Sequence, residues 1–173
     1  DWSSDVCSSD LSFKECLALL IKSEGGYTDT IGDPGGATKY GVTKATWEEY
    51  VGHPVSINDM KNLTIEQITP LYEMKYWRPC YGEVLPRGLD FLVFSMGVNS
   101  GTGRSVKLLQ SSIGCLPDGV IGPRAMELIG KSNIITLINQ FSESRRRYYL
   151  SLNRPEFEHG WLKRVDNEEK EAL

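Results

Sequence analysis

Regular patterning begins at Ser12. Ser12-Phe13-Lys14-Glu15 has the form of a capping box, in which the Ser hydroxyl serves the Glu15 amide and the Glu carboxylate returns to Ser12. Phe13, Cys16, Leu17, Leu20 and Ile21 follow at helical spacing. Glu24 falls on the same stripe, and Gly25 and Gly26 stop the helix. A carboxylate therefore closes the apolar face of a helix. Across 25–42 the helical period is lost. Glycines stand at 25, 26, 32, 35, 36 and 41, and Asp33-Pro34-Gly35-Gly36 is a strong turn signal, so this stretch is predicted to form turns with at most a short, irregular hairpin. Thr43 then caps a helix carrying Ala45, Trp47, Tyr50 and Val51. Further helices are predicted over 64–76, bent or restarted at Pro70, and over 89–98 and 103–113. Another starts at Pro123 and runs to 129, a longer one covers 133–152, and 156–165 adds a last turn or two. The pattern is mainly α, with one Gly-rich excursion after the first helix and no internal repeat.

The length of 173 residues allows one core, or one core with a small second lobe. A net charge of −4 offers no footprint for nucleic acid. No apolar run approaches the roughly 20 residues that span a bilayer, so membrane insertion is not expected. Cysteines at 7, 16, 80 and 115 form no CxxC pair and lie apart from His53 and His159, which excludes the usual zinc spacings. They read either as small buried thiols or as one disulfide with two thiols left over. Neither a metal nor a cofactor is expected. Residues 1–11, with the near-duplicate Ser-Ser-Asp-Val and Ser-Ser-Asp-Leu, are unlike the rest and resemble translated adapter sequence; they are expected to be a non-native tail.

The chemistry is concentrated early in the chain. Glycosidic bonds are cleaved by a carboxylic acid that protonates the leaving oxygen, with a second group on the other side of the sugar. Burial on an apolar stripe and the negative end of a helix dipole both favour the protonated form, and Glu24 has both. Asp33, nine residues on in a turn, is a loop carboxylate that can face it. Thr38 and Thr43 are the nearby hydroxyls. Taken alone, a Glu at a helix end and an Asp in a turn are equally well read as capping or solvated carboxylates.

Glu24-Gly25-Gly26-Tyr27, Asp33-Pro34-Gly35-Gly36-Ala37-Thr38 and Tyr40-Gly41-Val42-Thr43 resemble the signature of glycoside hydrolase family 108, lysozyme-like N-acetylmuramidases of phage-endolysin and secretion-associated type. The similarity continues through Tyr76-Trp77-Arg78-Pro79, Gly88-Leu89-Asp90 and Val98-Asn99-Ser100-Gly101. Leu108-Leu109-Gln110 and Asp118-Gly119-Val120-Ile121-Gly122-Pro123 are similar to the predicted peptidoglycan-binding region of that family, and 157–165 to its closing segment. The resemblance implies a lysozyme-like fold, with a catalytic region over 12–100, a helical region over 101–166 packed on it and a charged tail over 167–173. It implies Glu24 as the acid and Asp33 as its partner. Four residues separate Asp33 from Thr38, where phage-type lysozymes have five before the Thr, so the water-positioning role falls to Thr38, to Thr43 or to neither.

Tyr27, Tyr40, Tyr76, Trp77 and Tyr81 read either as rings that stack on sugar faces or as core; Trp47, on its helix stripe, reads as core. Asn99 is either a cleft hydrogen-bonder or a helix stop. Arg145-Arg146-Arg147 reads as a solvated helix face. The implied activity is cleavage of the β-1,4 bond between N-acetylmuramic acid and N-acetylglucosamine in a peptidoglycan strand. It would take place at the cell wall, reached by way of a holin or a secretion system. The alternative is a non-catalytic peptidoglycan-binding protein.

Overall fold

The computed structural model describes residues 13–22 and 37–173. The Ser12 cap, the tail over 1–11 and most of the Gly-rich stretch lie outside the described residues. The first helix, α1, covers residues 13–22 and buries Phe13, Cys16, Leu17 and Leu20, the stripe that the spacing predicts. The chain divides into two compact units. One is Leu17–Lys75, and the other is Tyr76–Leu173 together with the first turn of α1.

In the Leu17–Lys75 unit, β1 (Thr38–Lys39) and β2 (Val42–Thr43) form an antiparallel pair with Lys39 opposite Val42 and Thr38 opposite Thr43. The loop is therefore the two residues Tyr40 and Gly41, at φ 52° and 79°. Two positive φ values are what a type I′ turn requires, because its twist matches that of the strands. Tyr40 is an uncommon residue to hold such a φ. Its carbonyl accepts a 2.8 Å hydrogen bond from the Tyr72 hydroxyl, which pins the turn.

Three helices follow, each opened by a side-chain cap. Thr43 caps α2 (Lys44–Val51), and Gly52 ends it in the left-handed region at φ 79°. Ser56 and Asp59 form a capping box on α3 (Ile57–Lys61), a helix too short for its period to show in the sequence. Thr64 and Gln67 do the same for α4 (Ile65–Tyr72). The expected restart at Pro70 is not found. Pro70 lies inside α4, its carbonyl still accepts from the Glu73 amide, and the irregularity comes three residues later as a π-helical turn, Glu73–Trp77.

The second unit is built around α5 (Leu89–Ser100), in which every residue from Leu89 to Gly97 is buried. A helix buried all round needs partners on every side, and α6 (Thr102–Ser112), α8 (Ile134–Ser151) and α9 (Pro155–Ala172) supply them. At Gly97 a Cβ would stand 2.3 Å from the Cys80 sulfur, so only glycine fits that contact. Between α6 and α7 (Pro123–Lys131) the chain is organised by the buried Gln110. Its amide donates to Asp118 Oδ1 at 2.7 Å and to the Val120 carbonyl at 2.9 Å, and its Oε1 accepts from the Gly119 amide. The bond from the Gln110 amide, with a second from the Val120 amide at 2.8 Å, holds the Asp118 carboxyl below its ordinary range.

Three expectations are corrected here. A boundary at 100/101 would cut α5 from α6, which pack on each other across Gly101; the compact units divide instead at 16/17 and 75/76. The 167–173 stretch is not a tail, because α9 continues to Ala172 and buries Glu168. Arg145 is not solvated. It is fully buried and bonds Glu168 Oε2 at 2.6 Å, while Glu168 Oε1 accepts from the Ser95 hydroxyl at 2.6 Å. Arg146 also turns inward to Asp166 and Glu169, and only Arg147 points to solvent, beside Glu143.

Candidate active site

Glu24, Tyr27 and Asp33 lie outside the described residues. What the structure places is the hairpin that follows them. In an antiparallel pair, residues directly opposite project from the same face, so Thr38 and Thr43 present their side chains together. Thr43 Oγ1 accepts from the Thr46 amide at 3.2 Å and donates to Thr46 Oγ1 at 3.0 Å, so its hydroxyl proton is committed within the cap of α2. Both hydroxyls are half-buried.

The aromatic candidates separate by burial. Tyr40 is half-buried on the turn, with Lys39 Nζ 5.2 Å from its ring centre, and Tyr76 is half-buried in the π-helical turn. Trp77 is 1% exposed and packs against Phe13 and Phe94, at centroid distances of 5.3 and 5.5 Å. Gly82 lies so close to its ring that a Cβ there would stand 2.3 Å away. A ring covered on all sides cannot stack on a sugar. Trp77 is core, and its reading as a substrate contact is corrected. Trp47 is buried, as its stripe predicts.

Asn99 does not end its helix, which continues to Ser100. Its side-chain amide donates to the Ser95 carbonyl at 2.8 Å, and its oxygen accepts from Arg164. It is exposed and lines a cavity with Arg104, Tyr148, Tyr149 and Trp161. None of these last four was picked out from the sequence. They come from three different helices, and only the ring spacing of Phe157 and Trp161 hints at a cluster. Cys80 is a buried thiol, pushed up to about 12 by burial, and Cys115 forms no disulfide. Among the described residues, no group of three His, Cys, Asp or Glu side chains is placed to hold a metal ion. No described helix is long and apolar enough to cross a membrane.

The mainly α frame with a short hairpin is consistent with a lysozyme-like fold, and comparison with known proteins supplies the family. Residues 17–101 match the family described as Glycosyl hydrolase 108. The solved structure of Brucella abortus SagA is 34% identical, covers 95% of both chains and superposes with a TM-score of 0.82. The chain belongs to glycosyl hydrolase family 108. No curated protein sequence matches it.

Proposed function

We propose that the protein is an N-acetylmuramidase that hydrolyses the β-1,4 bond between N-acetylmuramic acid and N-acetylglucosamine in peptidoglycan. The observation that carries this reading is the family match over 17–101, the stretch that contains Glu24, Asp33 and the Thr38–Thr43 hairpin. Glu24, which follows the apolar stripe of α1 in the sequence, is the general acid. Asp33 acts from the other side of the sugar as base or water-positioner. Thr38 or Thr43, which face each other across the hairpin, orients the attacking water. A base acting through water inverts the anomeric configuration and forms no covalent intermediate. Tyr27, Tyr40, Tyr76 and Asn99 contact the glycan. The 101–166 region contributes to wall binding as part of the unit around α5 rather than as a detachable module. The enzyme works at the bacterial cell wall, in lysis or in wall remodelling during secretion, with a holin or secretion system giving access.

Mass spectrometry of products from purified peptidoglycan tests this. The expected result is fragments with reducing N-acetylmuramic acid ends from the native chain. Glu24→Gln should lower the rate by about 10²–10⁴-fold with folding unchanged. Fragments ending in N-acetylglucosamine, or a variant that keeps more than about a tenth of the rate, would overturn it.

A further inference from the structure

The unit around α5 forms a cavity of about 310 Å³ where the end of α5, the start of α6, the end of α8 and the middle of α9 meet. Among the described residues its walls include two guanidiniums, Arg104 and Arg164, and no carboxylate. That is unusual in a chain of net charge −4, and unusual in its own neighbourhood. Arg145, Arg146, Arg147 and Arg154 each meet a Glu or Asp. Arg104 meets none among the described residues. It donates once to the Ser100 carbonyl at 3.1 Å and lies 5.2 Å over the Tyr148 ring.

The rest of the wall is aromatic and held in place. Trp161 stacks on Tyr149 at 5.3 Å and 29°, with Phe157 at 5.6 Å, and the buried Tyr149 hydroxyl reaches Met96 Sδ at 3.4 Å. Rigid rings beside an acid-free guanidinium suit a small ligand that has an apolar body and one negative end. The volume lies at the low end of ligand pockets, roughly 300–1,000 Å³.

We propose that this cavity is a carboxylate subsite that takes the acidic substituent of a peptidoglycan fragment, with Arg104 pairing the carboxylate and Tyr148 and Trp161 covering the apolar part. That the ligand comes from peptidoglycan rests on the proposed function. Two parts of the polymer offer this chemistry, the lactyl group of muramic acid and the stem peptide that it carries.

The test titrates the full chain with N-acetylmuramic acid, with the dipeptide L-Ala-D-Glu and with chitotriose, which has sugar but no carboxylate. The Trp161 indole N–H resonance is followed and assigned through Trp161→Phe. At least one acidic ligand should shift it with saturation, identifying the source, while chitotriose should bind about tenfold more weakly or less. Arg104→Gln should weaken the acidic ligand by about tenfold or more, and Arg104→Lys by less. High salt should weaken it in the native chain, a readout that holds even where a variant fails to fold. No shift from either acid, an equal response to chitotriose, or affinity indifferent to both Arg104→Gln and salt would overturn the proposal. Glycan cleavage is assayed separately, so a subsite without hydrolysis and hydrolysis without a subsite are distinct results.

Discussion

Thr38 and Thr43 stand directly opposite each other across the Tyr40–Gly41 turn, and Thr43 has its hydroxyl bound into the cap of α2. Thr43 therefore has a capping task besides any part in positioning water. Thr43→Ala should cost about 1 kcal/mol of stability through the lost cap. Whichever of Thr38→Val and Thr43→Val removes the water-positioning hydroxyl should lower the rate of wall hydrolysis by about tenfold or more. Melting curves and turbidity loss of permeabilised cells, run on these variants, check the pair. A native rate in both Val variants would remove both hydroxyls from the reaction.

Glu168 is placed to be among the costliest polar residues to remove. It neutralises a fully buried guanidinium and also accepts from Ser95, while Arg145 Nε and Nη1 find no partner among the described residues. Breaking a buried pair on one side strands the other charge, so Glu168→Ala should destabilise by about 3–5 kcal/mol. Asp166→Asn, beside the more exposed Arg146, should cost less than about 1 kcal/mol. Urea denaturation of the two variants measures the contrast.

A fragment spanning 12–100 should not fold cooperatively. It would retain α5 without α6, α8 or α9, leaving the nine buried residues from Leu89 to Gly97 uncovered. The check is a thermal melt with light scattering. A soluble, two-state fragment would show that α5 finds cover elsewhere.

Cys80 should resist thiol reagents in the native protein. With its thiol pushed up to about 12 by burial, only about 10⁻⁴ of it is thiolate at pH 8. Cys115 is partly exposed and should label readily. Peptide mapping after brief alkylation should find Cys115 modified and Cys80 unmodified until denaturant is added.

Most elements were legible because their signals are local. The stripe of α1, the Thr43 cap and the Pro123 start each depend on neighbours within a turn. The Ser56–Asp59 capping box is a signal of the same local kind, but α3 is not among the predicted helices, because five residues are too few to show a period. Non-local effects were not legible. Nothing near Arg145 says that it is buried, since its partner lies 23 residues away on another helix. The last turns of α9 look like a charged tail because the residue that anchors them, Glu168, is itself charged. Trp77 was ambiguous for the converse reason, since an aromatic beside motif residues gives no sign of whether its faces are covered. The Arg104–Trp161 cavity draws on separate helices and leaves no compact motif.

The covering of α5 has a consequence in time. The hydroxyl of Ser95 meets its acceptor 73 residues later in the chain. At about 5–20 residues per second, a ribosome needs roughly 4–15 s to supply that acceptor. For those seconds the most apolar helix of the molecule has been synthesised without its last partner, and α9 adds its contacts only afterwards. The nascent chain therefore passes through a period of exposure in which capture by a holdase competes with aggregation, and the yield of native protein should depend on the speed of translation between α5 and α9.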